Sequence, residues 1–188
     1  MAPRPIPTTS DPEHIRFMRL ALDQARKSIH TPTAFCVGAV VVSSPAHPTR
    51  PLDVLATSFS RELEGNTHAE QCALDKLALS ASAPDPSSPS DPSSCSSSPS
   101  LDSLLDGASI YTTMEPCSTR LSGNVPCVQR VLASPIQRVY VGVLEPSDFV
   151  ECEGTRLLRE AGRDVFVVVD PEDPGLGDEC LRVARGEK

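Results

Sequence analysis

The stretch ASIYTTMEPCSTRLSGNVPCVQRVL, residues 108–132, changes character twice. Its first seven residues are rich in β-branched and aromatic side chains and stop at Glu115-Pro116, which reads as a strand over 108–114. A polar loop with Gly123 and Asn124 follows, and from Val125 to Leu132 the apolar spacing becomes helical. Another β-branched run, IQRVYVGVL (136–144), comes directly after Ser134-Pro135. Strand, loop, helix and strand in that order form a crossover unit, and crossovers join parallel strands. The loop also carries two cysteines, each directly after a proline. Nine residues separate Cys117 from Cys127, too many for a C-x-x-C metal knuckle.

Working outward, the alternation continues toward the C-terminus. Glu151 to Ala161 has helical spacing with Gly162 as a C-cap, and DVFVVV (164–169) is a strand. Upstream, Thr67 to Leu79 is helical through Ala69, Ala73, Leu74 and Leu77. FCVGAVVVS (35–43) and PLDVLATSFS (51–60) are strands that follow one another directly, as in a hairpin. Asp11 to His30 reads as a first helix, capped by Ser10 or Asp11, with Pro12 in its first turn. Its apolar face is Ile15, Met18, Leu22, Ala25 and Ile29. The expected fold is α/β: a mixed five-stranded sheet with helices packed on it.

Between residues 80 and 100 the chain holds 11 Ser and 5 Pro among 21 residues. Such a stretch buries too little apolar surface to offset its ordering entropy, so an insertion at 80–103 is expected to be disordered. Residues 1–10 are expected to form a flexible N-terminus and 171–188 a tail, helical in part. The net charge of −8 among 188 residues argues against a broad phosphate-neutralising surface, so no nucleic-acid partner is expected. No run approaches the roughly 20 apolar residues of a membrane span, and residues 1–14 contain no apolar signal core. The expected setting is the cytoplasm, with the nucleus also open, and no membrane partner. Seven scattered cysteines in such a chain suit metal ligation and buried thiols better than a disulfide framework.

The chemistry concentrates in THAEQC (67–72) and the cysteine loop. His68 offers an imidazole nitrogen, and Cys117 and Cys127 offer thiolates. Together they make a three-ligand set for Zn²⁺ with one tetrahedral position left for water. Glu70, two residues after the histidine, is placed to shuttle a proton between that water and a leaving amine. The order H-x-E, then P-C, then a further Cys is the pattern of zinc-dependent deaminases. Taken alone, Thr67 to Glu70 also fits a capping box, with Glu70 reaching back to Thr67. Cys36 and Cys72 fall in apolar-patterned segments and are expected in the core. Cys95, Cys152 and Cys180 show no partner pattern.

GNTHAEQCAL, YTTMEPCSTRLSGNVPC, VYVGVLEP and LLREAGRDV together resemble the pyrimidine deaminases of riboflavin biosynthesis, most of all the fungal type. The resemblance runs over residues 11–170, apart from the Ser/Pro insertion. It implies a cytidine deaminase-like three-layer α/β/α domain. It also implies hydrolytic deamination of 2,5-diamino-6-ribitylamino-4(3H)-pyrimidinone 5′-phosphate, a small phosphorylated pyrimidine, with Zn²⁺ as cofactor. On this resemblance Glu70 is catalytic and His68, Cys117 and Cys127 bind the metal, while Asn66, Arg61, Arg120 and Ser118 contact substrate. Arg120 is the nearest candidate for the phosphate, and Arg61 stands where bacterial relatives carry a substrate-contacting histidine. A homodimer is expected from the same likeness, and the chain is expected to be the deaminase alone. Ala34-Phe35 and LEPSDF depart from the bacterial pattern. The alternatives are a cytidine or deoxycytidylate-type deaminase, which the FCVGA strand favours, and a non-catalytic zinc-binding subunit. The acidic balance weighs against a tRNA adenosine deaminase.

Overall fold

The structure, a computed structural model, describes residues 5–44, 52–82, 100–144 and 153–187. The β-branched runs form β2 (Gly38–Val42), β3 (Val54–Phe59), β4 (Ser109–Met114), β5 (Arg138–Val143) and β6 (Asp164–Val168). A further strand, β1 (Thr8–Thr9), adds to the edge of β6, so the sheet has six strands, not the expected five. Their order is β1-β6-β5-β4-β2-β3. β4, β5, β6 and β1 pair in parallel, as the crossover pattern requires. β2 and β3 form the antiparallel hairpin, and β2 also runs antiparallel to β4.

Period-2 alternation divides the strand side chains between two cores. Val41, Ile110, Val139, Val141 and Val165 face α2 (Ala69–Ser82), α3 (Leu101–Leu105), α4 (Cys127–Leu132) and α5 (Gly154–Glu160). Val40, Val42, Tyr111, Tyr140 and Val168 face α1 (Pro12–Ala25) and α6 (Leu176–Ala184). The result is the three-layer α/β/α arrangement. Tyr111 and Tyr140 stack with ring centroids 4.6 Å apart, and the Tyr111 hydroxyl lies 2.8 Å from His14 Nδ1. α1 lies directly against the sheet at Gly38. A Cβ there would lie 1.9 Å from the Ala21 carbonyl oxygen, so only glycine allows this contact.

The first helix stops five residues short of the expected His30. Lys27 N–H and Ser28 N–H donate to the carbonyls of Gln24 and Ala25, an i→i+3 pattern that tightens and ends the last turn. Ile29, placed on its apolar face by the spacing, is 79% exposed. The C-terminal segment supplies α6, whose Ala184 carbonyl accepts the Cys36 N–H at 2.8 Å. Most of the expected Ser/Pro insertion lies outside the described residues. At its two ends α2 continues to Ser82 and α3 begins at Leu101. Among the described residues, no helix is long and apolar enough to cross a membrane.

Candidate metal centre

The centre forms at the carboxyl ends of the parallel strands, the usual place for a site in an open α/β sheet. β4 ends at Met114, and Glu115, Pro116 and Cys117 leave it directly. Cys127 is the first residue of α4, and His68 immediately precedes α2, where its carbonyl accepts the Cys72 N–H. Two helix starts and one strand end therefore bring the three residues together. His68 Nδ1 lies 3.5 Å from Cys117 Sγ and 3.5 Å from Cys127 Sγ. All three ligand atoms fall within 4.8 Å of one another. A tetrahedral cation with metal–sulfur and metal–nitrogen bonds of zinc length separates such atoms by about 3.6 Å. The spacing is thus that of a tetrahedral edge, and the donor set, two sulfurs and one nitrogen, suits a cation of intermediate softness.

The electrostatics agree with that assembly. Two thiols this close share a single negative charge. The Cys117 thiol falls to about 4, chiefly through its hydrogen bond with Cys127, with the His68 ring and the Cys127 N–H also supporting the thiolate. Cys127 shifts the opposite way, because its contact with Cys117 and its burial both disfavour a second charge. A cation is the natural way for both sulfurs to be anionic at once.

Glu70 is 3% exposed on the first turn of α2. Its Oε2 accepts from the Cys127 thiol at 3.3 Å, and its Oε1 lies 3.3 Å from the Thr112 hydroxyl. Burial pushes its carboxyl above the ordinary range, and the Cys117 charge adds to that. The carboxylate faces Cys127 rather than Thr67, whose hydroxyl donates to the Leu63 carbonyl and accepts from the Cys72 thiol. Cys72 is buried away from the ligand trio, and Cys36 and Cys180 are also buried. Cys95 and Cys152 lie outside the described residues.

A cavity of about 280 Å³ opens onto His68, Glu70 and Cys117. Asn66, Arg61 and Arg120 line it, whereas Ser118, half-buried in the same loop, is not among its lining residues. Asn66 and Arg61 both adopt left-handed backbone, with φ of 54° and 63°. Asn tolerates that conformation, while Arg61 is held in it by its guanidinium bonds to the Ile29 and Phe35 carbonyls. Arg120 is buried and ties the middle of the cysteine loop to its surroundings. It donates to Gln71 Oε1 at 2.8 Å and to the Asn66 carbonyl at 2.5 Å. Thr112 is a contributor that the sequence reading missed. The signal was available, because Thr112 shares a face of β4 with Ile110 and is a polar residue among buried apolar ones.

Comparison with known proteins follows the same lines. The family described as the cytidine and deoxycytidylate deaminase zinc-binding region matches residues 11–143. The diaminohydroxyphosphoribosylamino-pyrimidine deaminase of Schizosaccharomyces pombe is 40% identical over 171 residues, 91% of this chain and 35% of that protein. The riboflavin biosynthesis protein RibD of Aquifex aeolicus is 30% identical over 158 residues, 84% of this chain and 35% of that protein. The chain therefore spans about a third of the length of the curated relatives it matches. The Aspergillus oryzae Rib2 deaminase, a C-terminal deletion mutant in complex with DARIPP at pH 6.5, superposes with a TM-score of 0.70. It is 37% identical, and the match covers 93% of this chain and 91% of that one.

Proposed function

The chain belongs to the cytidine and deoxycytidylate deaminase zinc-binding family, and we propose that it hydrolyses the 2-amino group from 2,5-diamino-6-ribitylamino-4(3H)-pyrimidinone 5′-phosphate, releasing ammonia. The observation that carries this reading is the His68, Cys117 and Cys127 trio at tetrahedral spacing with a buried carboxylate beside it. The likeness to the Rib2 deaminase, which was crystallised with DARIPP, supports the substrate class.

Zinc is the metal we assign to the trio, and it supplies Lewis-acid chemistry that makes a water nucleophilic near neutral pH. The remaining work falls to side chains. Glu70 takes a proton from the attacking water on the cavity side and delivers it to the departing amine, and a raised pKa suits both halves of that exchange. A purely structural zinc site has four protein ligands and needs no such carboxylate. Asn66 is among the lining residues, and its amide can read a donor–acceptor edge of the ring. Arg61 and Arg120 are the two cationic residues among those lining the cavity. Each uses part of its five-donor fork on protein oxygens, which leaves donors for a phosphate.

The test is ammonia release by the zinc-loaded protein from three compounds: the ribitylamino pyrimidinone phosphate, its unreduced ribosyl form, and cytidine. Release from the first, well above the other two, is the expected result. Release from cytidine alone would replace the substrate assignment with the nucleoside one. Release from none of the three would leave the metal centre without the chemistry proposed for it.

A further inference from the structure

We propose that Glu115 is the positioning residue for Cys117, latching the start of the cysteine loop onto α5. This inference rests on the reading of His68, Cys117 and Cys127 as a metal centre.

The latch has three parts. The Glu115 N–H donates to the Val143 carbonyl at 3.0 Å, which extends the β4–β5 ladder and fixes the backbone one residue before Pro116. The Glu115 side chain, 7% exposed, turns toward α5. Its Oε1 accepts the Thr155 N–H at 2.7 Å and the Thr155 hydroxyl at 2.8 Å. α5 gets no side-chain cap from Glu153, so the Thr155 N–H, an orphan donor of the helix start, is satisfied from across the structure. Finally, Gly154 lets α5 lie directly on the peptide joining Pro116 to Cys117. A Cβ at Gly154 would stand 2.0 Å from the Pro116 carbonyl oxygen and 3.3 Å from Glu115 Cγ.

Cys117 thus leaves a backbone held by the sheet on one side and a helix on the other. Its own carbonyl accepts the Val128 N–H at 3.2 Å, which ties it also to the helix that begins with Cys127. A buried carboxylate is a poor choice for stability alone, because its desolvation offsets most of what its hydrogen bonds contribute. Its use here is geometric. It sets the distance from the strand end to α5, and with it the point from which the Cys117 sulfur reaches the centre. Partners behind a metal ligand typically govern metal affinity by about 10–100-fold.

The experiment is zinc affinity by competition with a chromophoric chelator, with visible spectra of the cobalt(II)-loaded protein and urea unfolding of the metal-free protein. It compares the natural chain with Glu115→Ala, Glu115→Gln and Thr155→Val. Glu115→Ala should weaken zinc binding by about 10–100-fold and lower the intensity of the cobalt bands. Glu115→Gln keeps an acceptor oxygen for Thr155 and should stay within about threefold. Thr155→Val removes one of the two donors and should lose about three- to tenfold. A Glu115→Ala protein with lower urea stability but unchanged zinc affinity and cobalt spectrum would overturn the proposal and leave Glu115 a structural residue. Should Glu115→Ala not fold, Thr155→Val decides, and unchanged affinity in that variant overturns the proposal equally. A natural chain that binds neither metal would instead remove the metal centre itself.

Discussion

Glu70 and Glu115 line the same cavity and are both buried, at 3% and 7% exposure, yet their surroundings differ in kind. Glu115 receives an N–H and a hydroxyl on a single oxygen, each at normal hydrogen-bond length. Glu70 has weaker support. Its thiol donor on Cys127 disappears once that sulfur is anionic, and the Thr112 hydroxyl that faces it lies nearer to the Met114 carbonyl, at 2.9 Å against 3.3 Å. Burial by itself therefore does not assign a role to a carboxylate. Donors that persist make one a fixture, and donors that are shared or lost leave the other free to take up a proton.

The sharpest way to break this comparison is Glu70→Gln. The amide fills the same space and cannot carry the proton, so turnover should fall by about 10³-fold or more while zinc stays bound. Metal analysis beside an ammonia assay checks it, and a variant with near-normal turnover would put Glu70 in the same structural class as Glu115. Next in size are two glycine substitutions at which helices touch other backbone. Gly38→Ala and Gly154→Ala should each cost about 3 kcal/mol or more, because the added carbon meets a carbonyl oxygen at 1.9 Å and 2.0 Å. Urea unfolding of the metal-free proteins measures that. The two should then diverge: Gly154→Ala weakens zinc binding, and Gly38→Ala, which displaces α1 on the opposite layer, does not.

Much of this was legible in the residue order. The β-branched runs gave five of the six strands and their pairing sense, because period 2 and the crossover rule act locally. His68, Cys117, Cys127 and Glu70 stood out in the sequence because the chemistry proposed for them demands particular residue types, and the fold brings the four together. What escaped was whatever depends on a distant partner or on too few residues to show a period. β1 spans two residues and exists only because β6 offers it an edge. Ile29 satisfied the helical spacing, but the turn at residues 26–28 removed it from the helix. Glu115 shows in the sequence only as the residue that closes a strand, since its partner Thr155 lies 40 positions further along the chain. Arg120 suggested a phosphate ligand, and the bonds to Gln71 and Asn66 that also brace its loop were not readable from spacing.

A smaller effect probes the weak side of the comparison directly. Thr112→Val keeps the shape of the strand and removes the hydroxyl that faces Glu70 Oε1. Loss of a single such contact is worth about 1 kcal/mol, so kcat should fall about fivefold. KM and zinc affinity should hold, since Thr112 is neither a metal ligand nor a residue lining the cavity. A rise in KM at constant kcat would instead place Thr112 in substrate binding.

The smallest effect comes from a third carboxylate whose partner is a cation. Asp170 accepts Arg19 Nη2 at 2.6 Å and the Glu172 N–H at 2.9 Å, and the Arg19 contact holds its carboxyl below the usual range. The sign of the pH dependence follows from that direction. A group whose folded pKa is depressed contributes its full stabilisation above the unfolded value, about 3.9, and loses it as pH falls through the folded value. Asp170→Asn should therefore flatten the acid side of the stability curve below roughly pH 4 and leave its slope near neutrality unchanged. Urea midpoints across the acid range, natural chain against variant, measure the difference. An identical acid slope in the two proteins would mean that the Arg19 contact is not what holds the charge. Partners rather than burial would then set the role of the two carboxylates in the cavity but not that of Asp170.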